Sequence, residues 1–219
     1  MLLLALDTSA HLCAVALYDC TIPGIVCEDV QNIGRGHAEI LMPQIEACLS
    51  KAGKTYSDID RIGVIKGPGS FTGLRVGLSV AKGLSLSLDI DAVGLSALDI
   101  CEAVAIENGM SGKFLTIMDA RREQAYCKFS DSDEQFIKTY QEIAETLPTD
   151  IEAICGSGSL RLRQAYSADL PILHELAAPP VTMLAKLSCL AKEDVNPAEP
   201  LYLRSADAKP QTGFALKTA

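Results

Sequence analysis

An α/β fold built from two related lobes is predicted by three features of the sequence. Strand-like and helix-like segments alternate along most of its 219 residues. A plan of apolar strand, aspartate, polar turn and second strand occurs twice, on Asp7 and again on Asp119. A glycine-rich break at 108–112 separates the copies and divides the chain into lobes 1–108 and 109–219.

In the first lobe, residues 2–6 form an apolar strand that ends on Asp7-Thr8-Ser9. Residues 12–18 return as a second strand and 25–30 as a third. Residues 37–52 are an amphipathic helix, opened by His37 and closed by Gly53, with Leu41 and Ile45 on its apolar side. A strand at 62–66 then runs through Gly67-Pro68-Gly69 into a long apolar helix ending near Leu88. On that helix Gly73, Gly77 and Ala81 recur every fourth residue and share a face, flanked by Phe71, Leu74 and Leu78. Such a face admits close approach of another backbone. A short strand at 91–95 leads to a helix at 97–107 capped by Ser96.

In the second lobe, 114–118 is a strand ending on Asp119, and 124–129 returns. Residues 131–150 are acidic and read as a solvated loop and helix face. A strand at 151–155 enters the turn Gly156-Ser157-Gly158-Ser159 and a helix. Pro179-Pro180 precede a last helix at 181–192, and a proline-bounded tail covers 197–204.

Several function classes are disfavoured. The glycine loop at 67–73 has no lysine where a P-loop needs one, and its third glycine comes one residue late for a dinucleotide fingerprint. The chain has no Trp, 5% aromatics and a net charge of −9, poor equipment for binding nucleic acid on its own. Eight cysteines occur with no C-x-x-C, and they read as reduced core thiols rather than zinc ligands. The histidines are His11, His37 and His174, so no pair one helical turn apart is available for a metal. Residues 1–6 lack a basic flank and read as a buried strand, and no run is long enough to span a membrane. A cytoplasmic protein is expected.

The chain resembles the TsaB (YeaZ) family, the non-catalytic subunit of bacterial tRNA threonylcarbamoyladenosine synthesis. The resemblance is carried by LALDTSAHLCAVAL at 4–17, GHAEILMPQI at 36–45, GPGSFTGLRVGLSVAKGL at 67–84, VGLSALD at 93–99, MDARREQAY at 118–126 and EPLYLR at 199–204. It implies duplicated lobes of the actin-like ATPase (ribonuclease H-like) type, each with a mixed five-stranded sheet. It implies a heterodimer with the catalytic paralogue TsaD, in a complex that also contains the ATPase TsaE, and a homodimer when isolated. The family interface maps onto helices 37–52 and 70–88, here His37, Leu41, Ile45, Phe71, Gly73, Leu74, Gly77, Leu78 and Ala81. Asp7, Thr8, Ser9 and Asp119 would be a vestigial nucleotide site. No cofactor is expected on the chain alone, ATP or ADP could sit at the complex interface, and tRNA would be reached only indirectly. The paralogue's His-x-x-x-His metal pair is replaced by Ser96-Ala97-Leu98-Asp99-Ile100-Cys101, and no catalytic residue is expected. The alternative reading is a stand-alone ATP-dependent phosphotransferase, and a third, direct tRNA binding, rests only on Arg75, Lys82, Arg121, Arg122, Arg161 and Arg163, while an older peptidase label finds no nucleophile and base to support it.

Overall fold

The computed structural model describes residues 1–166, 170–192 and 194–204. Strands β1 (Leu2–Asp7), β2 (Leu12–Asp19) and β3 (Gly24–Asn32) make an antiparallel meander. Every residue of β1 is buried, as expected for a central strand covered on both faces. Helix α1 (His37–Lys51) crosses to β4 (Arg61–Gly67), which pairs parallel to β1. Helix α2 (Phe71–Leu88) then crosses to β5 (Asp91–Ser96), giving a mixed sheet ordered β3-β2-β1-β4-β5. Adjacent residues of β4 show how the sheet is sandwiched. A Cβ on Gly63 would meet Ser188 of α6 (Val181–Ser188), whereas Val64 faces Gly77 of α2 on the opposite side.

Helix α3 (Ala97–Glu107) packs against both sheets and joins the lobes. The second sheet is ordered β8-β7-β6-β9, from β6 (Phe114–Asp119), β7 (Gln124–Phe129), β8 (Gln135–Thr139) and β9 (Ala153–Cys155). Helices α4 (Tyr140–Thr146) and α5 (Ser159–Tyr166) pack together beside it. The fold is the two-lobed α/β arrangement of the actin-like ATPase type.

Four expectations are corrected. First, the stretch at 131–150 holds more than the expected solvated loop and helix face: its acidic side chains are exposed as expected, but it also forms strand β8 and a helix, α4, with a buried side. Tyr140 is fully buried there, and Thr139 and Glu142 form a reciprocal capping box. Second, the fifth strand of the second sheet is reduced to a single bridge. Ile154 donates its amide to Pro171 O and accepts from the Leu173 amide, but Pro171 has no N–H with which to extend a ladder. Third, residues 109–219 are not one lobe. Helix α6 packs on β1, β2 and β4, the Leu201 amide donates to Lys66 O, and the Gly94 amide donates to Asn196 O, so the chain returns to the first lobe. Fourth, Cys20 and Cys189 form a disulfide with Cα atoms 5.8 Å apart. Their separation of 169 residues gave no local signal of pairing. Cys13, Cys48, Cys101, Cys127 and Cys155 are buried thiols, as expected of core cysteines. The last helix is also shorter than expected, ending at Ser188, and the chain beyond Arg204 lies outside the described residues.

Candidate functional site

The end of β1 and the start of α2 fit together so closely that neither leaves a cradle for an anion. The Ser9 amide donates to Asp7 Oδ1 at 2.7 Å, Thr8 Oγ1 donates to Gly73 O at 2.7 Å, and the Ser70 amide donates to Ser9 O at 2.7 Å. A Cβ on Gly69 would lie 2.5 Å from Ser9 O, one on Gly77 would lie 2.6 Å from Thr8 Oγ1, and one on Gly73 would overlap Thr8 O. The glycine row is therefore the seat for the chain's own β1–β2 turn. The space beside these glycines is filled by the Thr8 and Ser9 carbonyl oxygens, which repel a phosphate, and by the Thr8 hydroxyl, whose proton is already given to Gly73 O. In the second lobe a Cβ on Gly156 would lie 2.5 Å from Ile117 O. Gly156 is thus packed against its own lobe's backbone in the same way.

This packing encloses most of the residues expected at the interface. Gly73, Leu74, Gly77, Leu78 and Ala81 are buried within the chain, as are His37, Leu41 and Ile45. His37 Nε2 donates to Leu12 O at 3.1 Å. Phe71 alone of the set is exposed, at 48%. The periodicity identified a close-packing face correctly, but the occupant is a turn more than sixty residues upstream, linked by Thr8 to Gly73 (sequence separation 65).

The expected nucleotide residues separate in the same way. Asp7 and Thr8 lie behind the cleft wall, 1% and 2% exposed, whereas Ser9 and Asp119 line the cleft. Burial pushes the Asp7 carboxyl above the ordinary carboxylate range, against the lowering effect of its contacts with Ser9. Asp119 accepts from Tyr140 Oη at 3.0 Å, lies 3.6 Å from Arg161, and its amide donates to Ser157 Oγ at 3.1 Å. Burial, then the neighbouring Asp119 charge, holds the Tyr140 phenol far above its usual range, so it stays a donor.

The cleft between the lobes has a volume of about 1550 Å³. One wall is the β1–β2 turn, the loop before α1 and the start of α2, and the other is the β6–β7 hairpin. Among the described residues five arginines line it (Arg35, Arg75, Arg121, Arg122 and Arg204), against the carboxylates Asp119 and Glu175. The hairpin tip is an unusual conformation, with Arg121, Arg122 and Glu123 all left-handed at φ 60°, 52° and 60°. For non-glycine residues this costs roughly 1–2 kcal/mol each. Arg204 braces the hairpin by donating to Ala120 O at 2.9 Å and Gln124 Oε1 at 2.7 Å. At the mouth, the Phe71 and Tyr202 rings lie 5.2 Å apart, the Arg75 guanidinium stacks 3.9 Å over Phe71, and Arg75 Nε donates to Tyr202 Oη at 3.3 Å. Sequence reasoning missed this group because Phe71 and Tyr202 are far apart in the chain.

The start of α3 is committed to holding the lobes together. Ser96 Oγ caps α3 and donates to Gln135 Oε1 at 2.8 Å, and Lys128 donates to Asp99 at 2.7 Å and to Glu102 at 2.5 Å. Among the described residues there is no group of three or more His, Cys, Asp and Glu side chains arranged to hold a metal. Nor does any described helix have the length and apolarity to cross a membrane.

Comparison with known proteins places this geometry. The TsaD family, described as tRNA N6-adenosine threonylcarbamoyltransferase, matches residues 22–182. The tRNA threonylcarbamoyladenosine biosynthesis protein TsaB of Escherichia coli K12 is 30% identical over 151 residues, covering 69% of this chain and 64% of that protein. The chain belongs to the TsaB (YeaZ) family. TsaB of Bacillus subtilis 168 is 35% identical over 128 residues, 58% of this chain and 53% of that protein. The alignments thus span between half and two thirds of these named TsaB proteins. An uncharacterised protein of Mycobacterium tuberculosis H37Rv matches at 31% over 94% of this chain and 93% of its own length. YeaZ from Pseudomonas aeruginosa shares the fold, with a TM-score of 0.72 and 24% identity over 92% of this chain and 99% of that one.

Proposed function

We propose that this TsaB-family chain acts in tRNA threonylcarbamoyladenosine synthesis as a non-catalytic activator, dimerising with the catalytic paralogue TsaD that modifies the adenosine beside the anticodon. The observation that carries this reading is the internal commitment of the groups a transferase would need. Thr8 is bonded to Gly73, Asp7 is buried behind the cleft wall, and Ser96, Asp99 and Glu102 are tied to Gln135 and Lys128. Three of the buried thiols are held in the protonated form: burial pushes Cys13 and Cys155 up to about 11 and Cys48 up to about 12.

The partner surface of this reading is the outer face of α2, opposite the glycine row. Val76, Ser79, Gly83 and Leu86 lie there at helical spacing without a charge among them, and Leu86 is 87% exposed. Helix α1 packs alongside and contributes Met42 and Ala47. Without the paralogue, the same face would pair two copies of this chain. ATP or ADP enters the scheme at the interface with the paralogue, not in this chain's own cleft, and TsaE joins the assembled pair.

Gly83→Arg tests the surface. Nothing lies within 4 Å of a Cβ at Gly83, so the arginine points outward and the helix loses a glycine. The variant is expected to fold as wild type and to bind TsaD at least about a hundredfold more weakly in calorimetric titration. Undiminished binding would remove this face from the reading. A stand-alone phosphotransferase is favoured only by Ser9 and Asp119 in the cleft, and it requires tight Mg²⁺-ATP binding by the isolated chain.

A further inference from the structure

We propose that the interlobe cleft takes a single-stranded segment of RNA, with bases on the Phe71–Tyr202 pair and phosphates on the arginines of the facing hairpin. This goes beyond the function proposed above, in which RNA is reached only through the paralogue. It also reverses the expectation drawn from net charge.

Four observations converge on that ligand chemistry. The first is charge distribution. The chain carries −9 overall, yet among the described residues five arginines against two carboxylates line this one cleft. A concentrated basic wall on an acidic protein attracts a polyanion locally while the rest of the surface repels it.

The second is the aromatic pair. Phe71 and Tyr202 are 48% and 42% exposed at the mouth, in contact with each other and with Arg75. Exposed rings beside a guanidinium are a platform for unstacked bases, which a paired helix cannot offer.

The third is size and shape. At about 1550 Å³ the cleft exceeds the roughly 300–1000 Å³ of ordinary small-molecule pockets. Its glycine turns are filled by the chain's own carbonyls, so a mononucleotide finds no phosphate cradle. A strand running through the cleft needs none.

The fourth is the hairpin tip. Three successive left-handed residues hold Arg121 and Arg122 at the cleft wall, and Arg204 braces them from behind. Backbone strain of this kind persists where the surroundings over-determine it.

The test is fluorescence anisotropy with the full-length isolated chain and a labelled, unstructured RNA of roughly 12 nucleotides. Because no partner is present, failure of the TsaD pairing and failure of this proposal are read separately. Saturable binding is expected, weakening about tenfold to a hundredfold between about 50 and 200 mM salt. Phe71→Ala with Tyr202→Ala should weaken it by about tenfold or more while leaving the salt slope unchanged. Arg121→Ala with Arg122→Ala should weaken it and flatten the salt slope. Lys54→Ala, outside the cleft, should change it less than about twofold. All five positions are exposed, and circular dichroism confirms that the variants fold. The proposal is overturned by an absence of saturable binding at the lower salt, by equal affinity for a duplex of the same sequence, or by wild-type affinity and salt slope in both cleft variants.

Discussion

Asp7 and the glycines of α2 illustrate how a residue's chemistry is set by what touches it. Asp7 ends β1 at the edge of the cleft wall, but it is enclosed, and its pKa is raised by burial. The sign follows directly. Above its raised pKa the folded state holds a desolvated charge that the unfolded chain hydrates freely, so this group favours folding at low pH and loses that contribution as pH rises through the folded value. Asp7→Asn keeps an acceptor for the Ser9 amide and removes the charge. It is expected to raise the melting temperature at pH 8, with the gain vanishing as pH falls below the ordinary carboxylate range; a pH-independent difference would contradict this. Gly73 and Gly83 make a second pair of measurements on one helix. Gly73→Ala drives a Cβ into Thr8 O and should cost about 3 kcal/mol or more in urea unfolding, whereas Gly83→Ala meets nothing and should gain about 0.5–1 kcal/mol. The sequence made the glycine face visible through its four-residue spacing. It could not show that the face was already occupied, because Thr8 reaches Gly73 only through the tertiary fold.

Helix α3 is the element on which the lobes hinge together. Its Asp99 and Glu102 share Lys128 from β7, and burial raises the Glu102 carboxyl while Lys128 opposes that rise. Lys128→Ala leaves the two carboxylates facing each other without a cation. It should destabilise the chain by roughly 2–3 kcal/mol in denaturant unfolding, and adding Glu102→Gln should recover part of that loss. No recovery in the double variant would show that the ion triad is not what the lysine supports. Elements with strong local signals were legible in the sequence: α3 and β7 have the expected bounds, helped by the Ser96 cap and by the apolar-polar pattern of the hairpin. Strand β8 was hidden because only Phe136 and Ile137 are apolar in its five residues. The Thr139-Tyr140-Gln141-Glu142 capping box was a signal for α4 that composition alone obscured.

At the scale of the molecule, the two copies of strand, aspartate, turn and strand became two sheets, but the chain does not divide where the repeat does. Helix α6 and the 197–204 segment return to the first sheet, and the Cys20–Cys189 disulfide fastens that return. Reduction should lower stability by about 2–4 kcal/mol in the wild type and leave Cys20→Ser unaffected. The candidate site was legible only in part for the same reason. Its walls come from both lobes and from the returning tail, so Arg75, Arg121 and Tyr202 meet only after folding. Net charge, a sum over the whole surface, concealed the basic cleft. The central claim is that this chain enables tRNA threonylcarbamoyladenosine synthesis without performing the transfer itself. The most direct measurement is a reconstituted assay of threonylcarbamoyladenosine on tRNA, with this chain, TsaD, TsaE and the activated threonylcarbamoyl donor combined and omitted in turn. The account predicts no product from this chain alone, little from TsaD and TsaE without it, and full activity when it is restored. Product formed by this chain without TsaD, or full activity in its absence, would contradict it.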